Sequence, residues 1–188
     1  RSSIESVLFQ DYSNIEYIVI DGGSTDNTLS IVSEYKDRIA HIVSEPDKGI
    51  YDAMNKGISK ATGDGLLFIM AGDYFLLDSF PENIEIPSFF PVNKLNFDNS
   101  LKPIPLKSYK QGLPNCHQGI LFENNKAIKY NTDFKIAADY KYFLDFNYTG
   151  DIIMHDSKYS IVYDEGFSGD NFWHRDIEIY NIININIL

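Results

Sequence analysis

Apolar and polar positions alternate between two periods along the first 75 residues of this chain. Glu16–Asp21 carries four apolar residues in a row, Tyr17, Ile18, Val19 and Ile20, a run suited to a strand buried on both faces of a sheet. Ile39–Ser44 and Gly65–Met70 predict two further strands. Between them Ile50, Ala53, Met54, Gly57 and Ile58 recur at helical spacing. Leu29, Val32 and Tyr35 mark a helix running to about Lys36, and Ile4, Val7 and Leu8 give one face of a helix over Ser2–Gln10. The resulting order, helix–strand repeated three times, is the rhythm of a mostly parallel sheet with crossover helices.

Beyond Phe75 the rhythm breaks. Residues 78–115 hold all but one of the seven prolines and predict loops and short strands. Cys116–Asn124 predicts a strand, Ile136–Asn147 a helix, and strands are expected near 151–154 and 159–163, ahead of a glycine-rich turn at Gly166–Gly169. The Asn/Ile-biased tail, Ile177–Leu188, is expected to be helical or frayed. The whole reads as one domain over 1–188, with a first half to about residue 75 and a second from 76 onward.

Composition narrows the function classes. With 16 Lys plus Arg against 27 Asp plus Glu, the net charge of −11 argues against a general nucleic-acid binder, whose surface must be basic. A phosphate-bearing small ligand remains compatible, because a divalent cation bridges acids to phosphate. Cys116 is the one cysteine, so no disulfide forms within this chain, and a reducing compartment is the simplest expectation. No apolar run approaches the roughly 20 residues of a membrane span.

The acids cluster at element ends. Asp21 closes the first strand ahead of Gly22, Gly23 and a helix start, where open α/β sheets collect ligands; a helix cap and turn explain it equally well. Asp47 precedes Gly49 and the Ile50 helix, on whose polar side lie Asp52, Asn55, Lys56 and Ser59. A solvated face accounts for Asp52 and Ser59, whereas Asn55 and Lys56 could reach a phosphate. Asp73 follows Ala71 and Gly72 at the end of the third strand, either as a turn aspartate or as an oxygen ligand for a hard cation. Asp139 opens a helix beside Ala137, Ala138 and Tyr140, as a favourable acid at its N-terminus or as a general base. The Gly-rich dinucleotide fingerprint is absent.

In order, "SVLFQDYSNIEYIVIDGGSTDNT", "SEPDKGIYDAMNKGISKATGD", "FIMAGDYF", "HQGILF" and "KIAADYKYFL" resemble the family 2 glycosyltransferases of bacterial polysaccharide synthesis, from about Ser6 to Leu144. The resemblance implies the GT-A nucleotide-sugar-binding sandwich, and transfer with inversion from a UDP- or dTDP-sugar to a hydroxyl of a glycan or lipid-linked saccharide. It implies a nucleotide contact at Asp21, diphosphate and donor-sugar contacts at Asp47 and Asn55, with Lys56 a further donor-binding candidate beside them, and a Mg²⁺ or Mn²⁺ ion at Asp73. Asp139 becomes the catalytic base, and His117 and Gln118 line the acceptor side. His174, in "NFWHR", is a weaker candidate for a metal or phosphate contact. A cytoplasmic protein follows, at the inner face of the membrane if its acceptor is lipid-linked, with a homodimer left open.

Two departures bear on this picture. The family often has two or three acids where this chain has "MAGD", so cation binding rests on Asp73. The family's opening strand would precede the Ile4 helix, and the chain enters at that helix without an initiator Met. The expectation is therefore a natural protein extended upstream, and here a flank of Glu16–Asp21 left uncovered or capped by another segment or subunit. A catalytically inactive sugar-nucleotide binder or scaffold is the alternative function. A nucleotidyltransferase would need a basic, Gly-rich phosphate loop that the chain lacks.

Overall fold

The computed structural model describes residues 1–76, 80–81, 84–96, 98–108, 112–134, 137–148, 153–155, 161–164 and 179–185. Its first half follows the periodicity closely. Helix α1 spans Ser2–Leu8, strand β1 Ile15–Asp21, helix α2 Thr28–Ser33, strand β2 His41–Ser44, helix α3 Ile50–Lys60 and strand β3 Gly65–Met70. The helix expected to reach Lys36 stops at Ser33, and a 3₁₀ turn over Lys36–Arg38 leads into β2. On α3 the predicted apolar face is the buried one: Ala53, Met54, Gly57 and Ile58. Gly49 starts that helix at φ 113°, a left-handed conformation that glycine adopts without a Cβ penalty.

The second half is made of short pieces: β4 (Tyr74–Phe75), β5 (Ser88–Phe89), β6 (Val92–Leu95), β7 (Leu101–Pro103), β8 (Ile120–Glu123), α4 (Ala138–Asp145), β9 (Ile153–Met154), β10 (Ile161–Asp164) and β11 (Ile179–Ile185). The strand expected from Cys116 begins at Ile120, because His117–Gly119 forms a 3₁₀ turn. Ile136, the expected helix start, and the turn at Gly166–Gly169 lie outside the described residues.

Two sheets result. The larger has seven strands in the order β2-β1-β11-β3-β8-β5-β9; the smaller runs β4-β10-β6-β7. In the large sheet β1, β2, β3, β5 and β9 point one way, and β8 and β11 run against them. Tyr17–Ile20 and Leu66–Ile69 are almost completely buried, and they feed apolar clusters on both faces. A strand with both faces covered is what an unbroken apolar run requires. Each such Leu, Ile or Phe contributes about 1.5–3 kcal/mol through burial.

The tail corrects the sequence expectation. It is neither helical nor frayed over 179–185 but forms β11, inserted between β1 and β3. All seven of its residues pair antiparallel with β1, from Ile15 opposite Ile185 to Asp21 opposite Ile179. Its other edge pairs with β3, Tyr180 opposite Met70 through Ile185 opposite Gly65. The flank of β1 is thus capped by another segment of the same chain. The physical cause is the parallel pair β1 and β3 held one strand apart, each presenting a row of backbone donors and acceptors that only a strand satisfies. Among the described residues no helix is long and apolar enough to cross a membrane.

Candidate functional site

The carboxyl ends of β1, β2 and β3 bring the predicted acids to one rim of the sheet. Asp21 is fully buried there. Its carboxylate accepts the Ser44 hydroxyl at 2.6 Å and the backbone N–H groups of Gly23 at 3.3 Å and Ser24 at 3.2 Å. The side chain therefore pins the end of β1 to its own turn and to the end of β2. Asp47 is half-buried; its Oδ1 accepts the Gly49 N–H at 2.8 Å, and its Oδ2 is buried without a partner among the described residues. Burial raises the Asp47 pKa above the ordinary carboxylate value, opposed by the Gly49 N–H and by Lys56. Lys56 Nζ donates to the Pro46 carbonyl at 2.9 Å and pairs with Glu45 at 3.2 Å and Asp52 at 3.7 Å. Lys56 thus already bridges the loop to α3.

Asp73 sits in the turn after β3, buried, and α1 is seated against that turn. Ser3 Oγ accepts the Gly72 N–H at 3.1 Å and Ser6 Oγ accepts the Phe75 N–H at 3.2 Å. Gln118 Nε2 donates to Asp73 Oδ2 at 2.9 Å, and Cys116 Sγ donates to Gln118 Oε1 at 2.9 Å. Burial, with a further push from Asp73, raises the Cys116 thiol to about 12, so it stays protonated and remains a donor. Gln118 is thereby oriented with its amide N–H groups toward Asp73. The turn that presents it is held by Asn115, whose Nδ2 donates to the carbonyls of Phe90 at 2.9 Å and Gly119 at 3.0 Å. Gly119 allows that approach: a Cβ there would lie 2.4 Å from Val92 and 2.6 Å from the Phe90 oxygen.

Among the described residues no three His, Cys, Asp or Glu side chains gather into a set able to hold an ion. Asp73 offers a single hard oxygen donor on the rim, which could serve a cation held otherwise by water and a bound ligand, and not a cage built by the protein alone.

Asp139 lies half-buried in the first turn of α4, its Oδ1 accepting the Tyr140 N–H at 2.8 Å. Ala137, just before it, has φ 68°, a left-handed conformation costly for a residue with a Cβ. The charge of Asp139 acts on Tyr51, Cys116, His117 and Tyr130. His117 is buried against Phe68 and Phe122, with ring centroids 5.2 and 5.6 Å away. Its Nε2 lies 2.6 Å from the Tyr130 hydroxyl, while Nδ1 has no partner among the described residues. Burial drives the imidazole well below its usual pKa, only partly opposed by Asp139, so the ring is neutral at pH 7.

Asn55 behaves unlike a phosphate ligand. Its Nδ2 donates to the Tyr130 carbonyl at 2.8 Å and its Oδ1 accepts the Tyr130 N–H at 2.9 Å. Both ends of the amide clamp one residue of a distant loop. Asn55→Ala strands that N–H and C=O, and is expected to cost on the order of 1–3 kcal/mol in urea unfolding. A change below about 0.5 kcal/mol, the range of ordinary surface substitutions, would mean the clamp carries no stability.

The structure thus gathers Asp73, His117, Gln118 and Asp139 into one neighbourhood and sets Asp21, Asp47 and Lys56 along the adjoining rim. His174 lies outside the described residues. Sequence reasoning missed Tyr51, Tyr130, Tyr142 and Asn115. Tyr130 is stacked on Tyr142 with centroids 4.0 Å apart and on Tyr51 at 5.6 Å. Nothing in its flanking "IKYNTD" marks it, since its partners come from three other segments.

Residues 1–84 match the family described as Glycosyl transferase family 2. The chain is 37% identical over 164 residues to an uncharacterized glycosyltransferase of Mycobacterium tuberculosis, covering 77% of this chain and 62% of that protein. It therefore spans less than two thirds of that relative's length. It is 34% identical over 100 residues to the UDP-Glc:alpha-D-GlcNAc-diphosphoundecaprenol beta-1,3-glucosyltransferase WfaP of Escherichia coli, covering 53% of this chain and 39% of that one. The crystal structure of S. aureus TarS 1-349 in complex with UDP superposes with a TM-score of 0.64 at 18% identity, covering 87% of this chain and 55% of that one. Residues 1–84 thus match glycosyl transferase family 2, and the α/β fold is GT-A-like.

Proposed function

We propose that this chain transfers a sugar from a nucleotide diphosphate sugar, UDP- or dTDP-linked, to a hydroxyl of a glycan or lipid-linked saccharide, with inversion. The observation that carries the reading is the half-buried Asp139 carboxylate at the start of α4, with His117 and Tyr130 in its field and Asp73 joined to the same neighbourhood through Gln118. The names of the relatives support it: one acts from UDP-Glc on a diphosphoundecaprenol-linked sugar, and the TarS structure contains UDP. A lipid-linked acceptor would bring the protein to the inner face of the membrane.

In this reaction an acceptor hydroxyl attacks the anomeric carbon as its proton passes to Asp139. The bond to the nucleoside diphosphate breaks with both electrons leaving on the phosphate oxygen, and a single displacement from the opposite face inverts the centre. Asp139 is held for this by the first turn of α4 and by its bond to Tyr140. The buried Asp73 would hold a Mg²⁺ or Mn²⁺ ion, which as a Lewis acid supplies charge stabilisation to the departing diphosphate. Gln118 keeps the Asp73 carboxylate in one orientation.

The test is transfer of radiolabelled glucose from UDP-glucose to a synthetic lipid-diphosphate-linked N-acetylglucosamine, alongside a panel of dTDP- and UDP-sugars. A protein that retains nucleotide sugar without turnover across the panel would instead be an inactive binder. A second test addresses the cation. Because Asp73 is buried and accepts from Gln118, the variant is Asp73→Asn, which keeps the shape. Wild type is expected to gain thermal stability from UDP with Mn²⁺ beyond that from UDP alone, and the variant to lose this increment. Equal increments would remove Asp73 from the cation site.

A further inference from the structure

Tyr130 is held on every side. Asn55 takes its backbone N–H and C=O, and its ring lies between Tyr51 and Tyr142 at interplanar angles of 15° and 13°. Its hydroxyl meets one group, His117 Nε2, at 2.6 Å. Two arrangements of that hydrogen bond exist between a neutral phenol and a neutral imidazole. If Nε2–H donated to the phenol oxygen, the phenol proton would be a buried donor without an acceptor, and Nδ1 would be a bare lone pair. If the phenol donates to Nε2, only one group is left over, an N–H at Nδ1. Buried unpaired groups are costly, so the second arrangement wins. Burial keeps the Tyr130 phenol protonated and the imidazole neutral, as that arrangement needs.

The remaining Nδ1–H is buried and has no partner among the described residues. The Tyr142 hydroxyl, on the ring stacked against Tyr130, is likewise buried and unpaired. Two orphaned polar groups in one aromatic cluster, with the Asp139 charge acting on His117 and Tyr130, call for a ligand that brings oxygens. We infer that Tyr130 locks His117 as the Nδ1–H tautomer and that this N–H binds an oxygen of the acceptor saccharide at Asp139. The acceptor clause rests on the transferase reading; the tautomer does not. Tyr130 is then a positioning residue, acting through His117, and His117 is a saccharide-binding one. A hydroxyl that accepts from His117 and donates to Asp139 is fixed in direction, with a lone pair left for attack.

The experiment is long-range ¹H–¹⁵N correlation on histidine-labelled protein. Wild-type His117 is expected to show a protonated Nδ1 and a bare Nε2, and Tyr130→Phe to shift the ring toward the Nε2–H form. With UDP present, methyl N-acetylglucosaminide is expected to move the wild-type Nδ1 resonance. UDP alone is expected to leave it in place, and the variant to lose the response. In the transfer assay, Tyr130→Phe should raise the acceptor KM about tenfold, the loss of one good hydrogen bond, with the nucleotide-sugar KM within twofold. A wild-type Nε2–H tautomer overturns the inference whatever the activity. So does an Nδ1 resonance that answers UDP and ignores the saccharide. Absence of transfer with both spectroscopic results intact would sink the transferase reading and with it the acceptor's role, and leave the tautomer lock and its saccharide contact standing.

Discussion

Ile182→Pro is expected to prevent cooperative folding. Ile182 lies at the middle of β11, opposite Ile18 of β1 on one side and Phe68 of β3 on the other. Its strand is the third of seven, so its backbone N–H has no solvent-facing alternative. Proline removes that donor and sets φ near −65°, far from the antiparallel value; the orphaned partner carbonyl alone costs about 1–3 kcal/mol, and the strain of the ring adds to it. The loss spreads because β11 joins the β2-β1 pair to the rest of the sheet. Deletion of residues 179–188 should act in the same direction and leave facing edges on β1 and β3, with aggregation as the visible result. Circular dichroism and urea unfolding measure the effect. An Ile182→Pro protein with a cooperative transition within about 1 kcal/mol of wild type, the size of an average point substitution, would show that β11 does not hold the sheet together.

Asp139→Asn is expected to bind UDP-sugar as wild type does and to lose transfer by on the order of 10²–10⁴-fold. The amide is nearly isosteric, and its oxygen can accept the Tyr140 N–H that the carboxylate accepts at 2.8 Å, so the start of α4 survives. What it lacks is the capacity to take the acceptor's proton. Nucleotide-sugar affinity by calorimetry and turnover with the lipid-diphosphate-linked acceptor separate the two effects. A fall in turnover of less than about tenfold would remove Asp139 from the role of base. A parallel collapse in UDP-sugar affinity would mean that it serves the donor side instead.

Both expectations concern residues whose significance was unevenly legible. Asp139 and Asp73 stand out because an acid directly after an apolar run, or in the first turn of a helix, is a local pattern. Their neighbours do not stand out. Asn55 looked like a polar residue on the open side of α3, suited to a phosphate, yet its amide is spent on Tyr130, 75 residues away. Lys56 looked available for the same purpose and is engaged with Pro46, Glu45 and Asp52. Side-chain identity and helical phase place a group on a face, and they are silent on what that face meets.

The amino-acid sequence by itself determined β1, α3 and β3 almost to the residue, and with them the rim where the acids collect. The reason is that burial on one helical stripe, or on both faces of a strand, leaves a period that short-range patterning records. Only the tertiary structure decided the state of the tail. "IYNIINI" has no clean period of either kind, and asparagine is a poor strand former. It becomes a strand because β1 and β3 stand parallel with one strand's width between them, and their unpaired backbone groups impose extension on whatever fills it. The same holds for the Asn55–Tyr130–His117 chain. Its links come from segments distant in sequence, so it exists only once the sheet has brought them together.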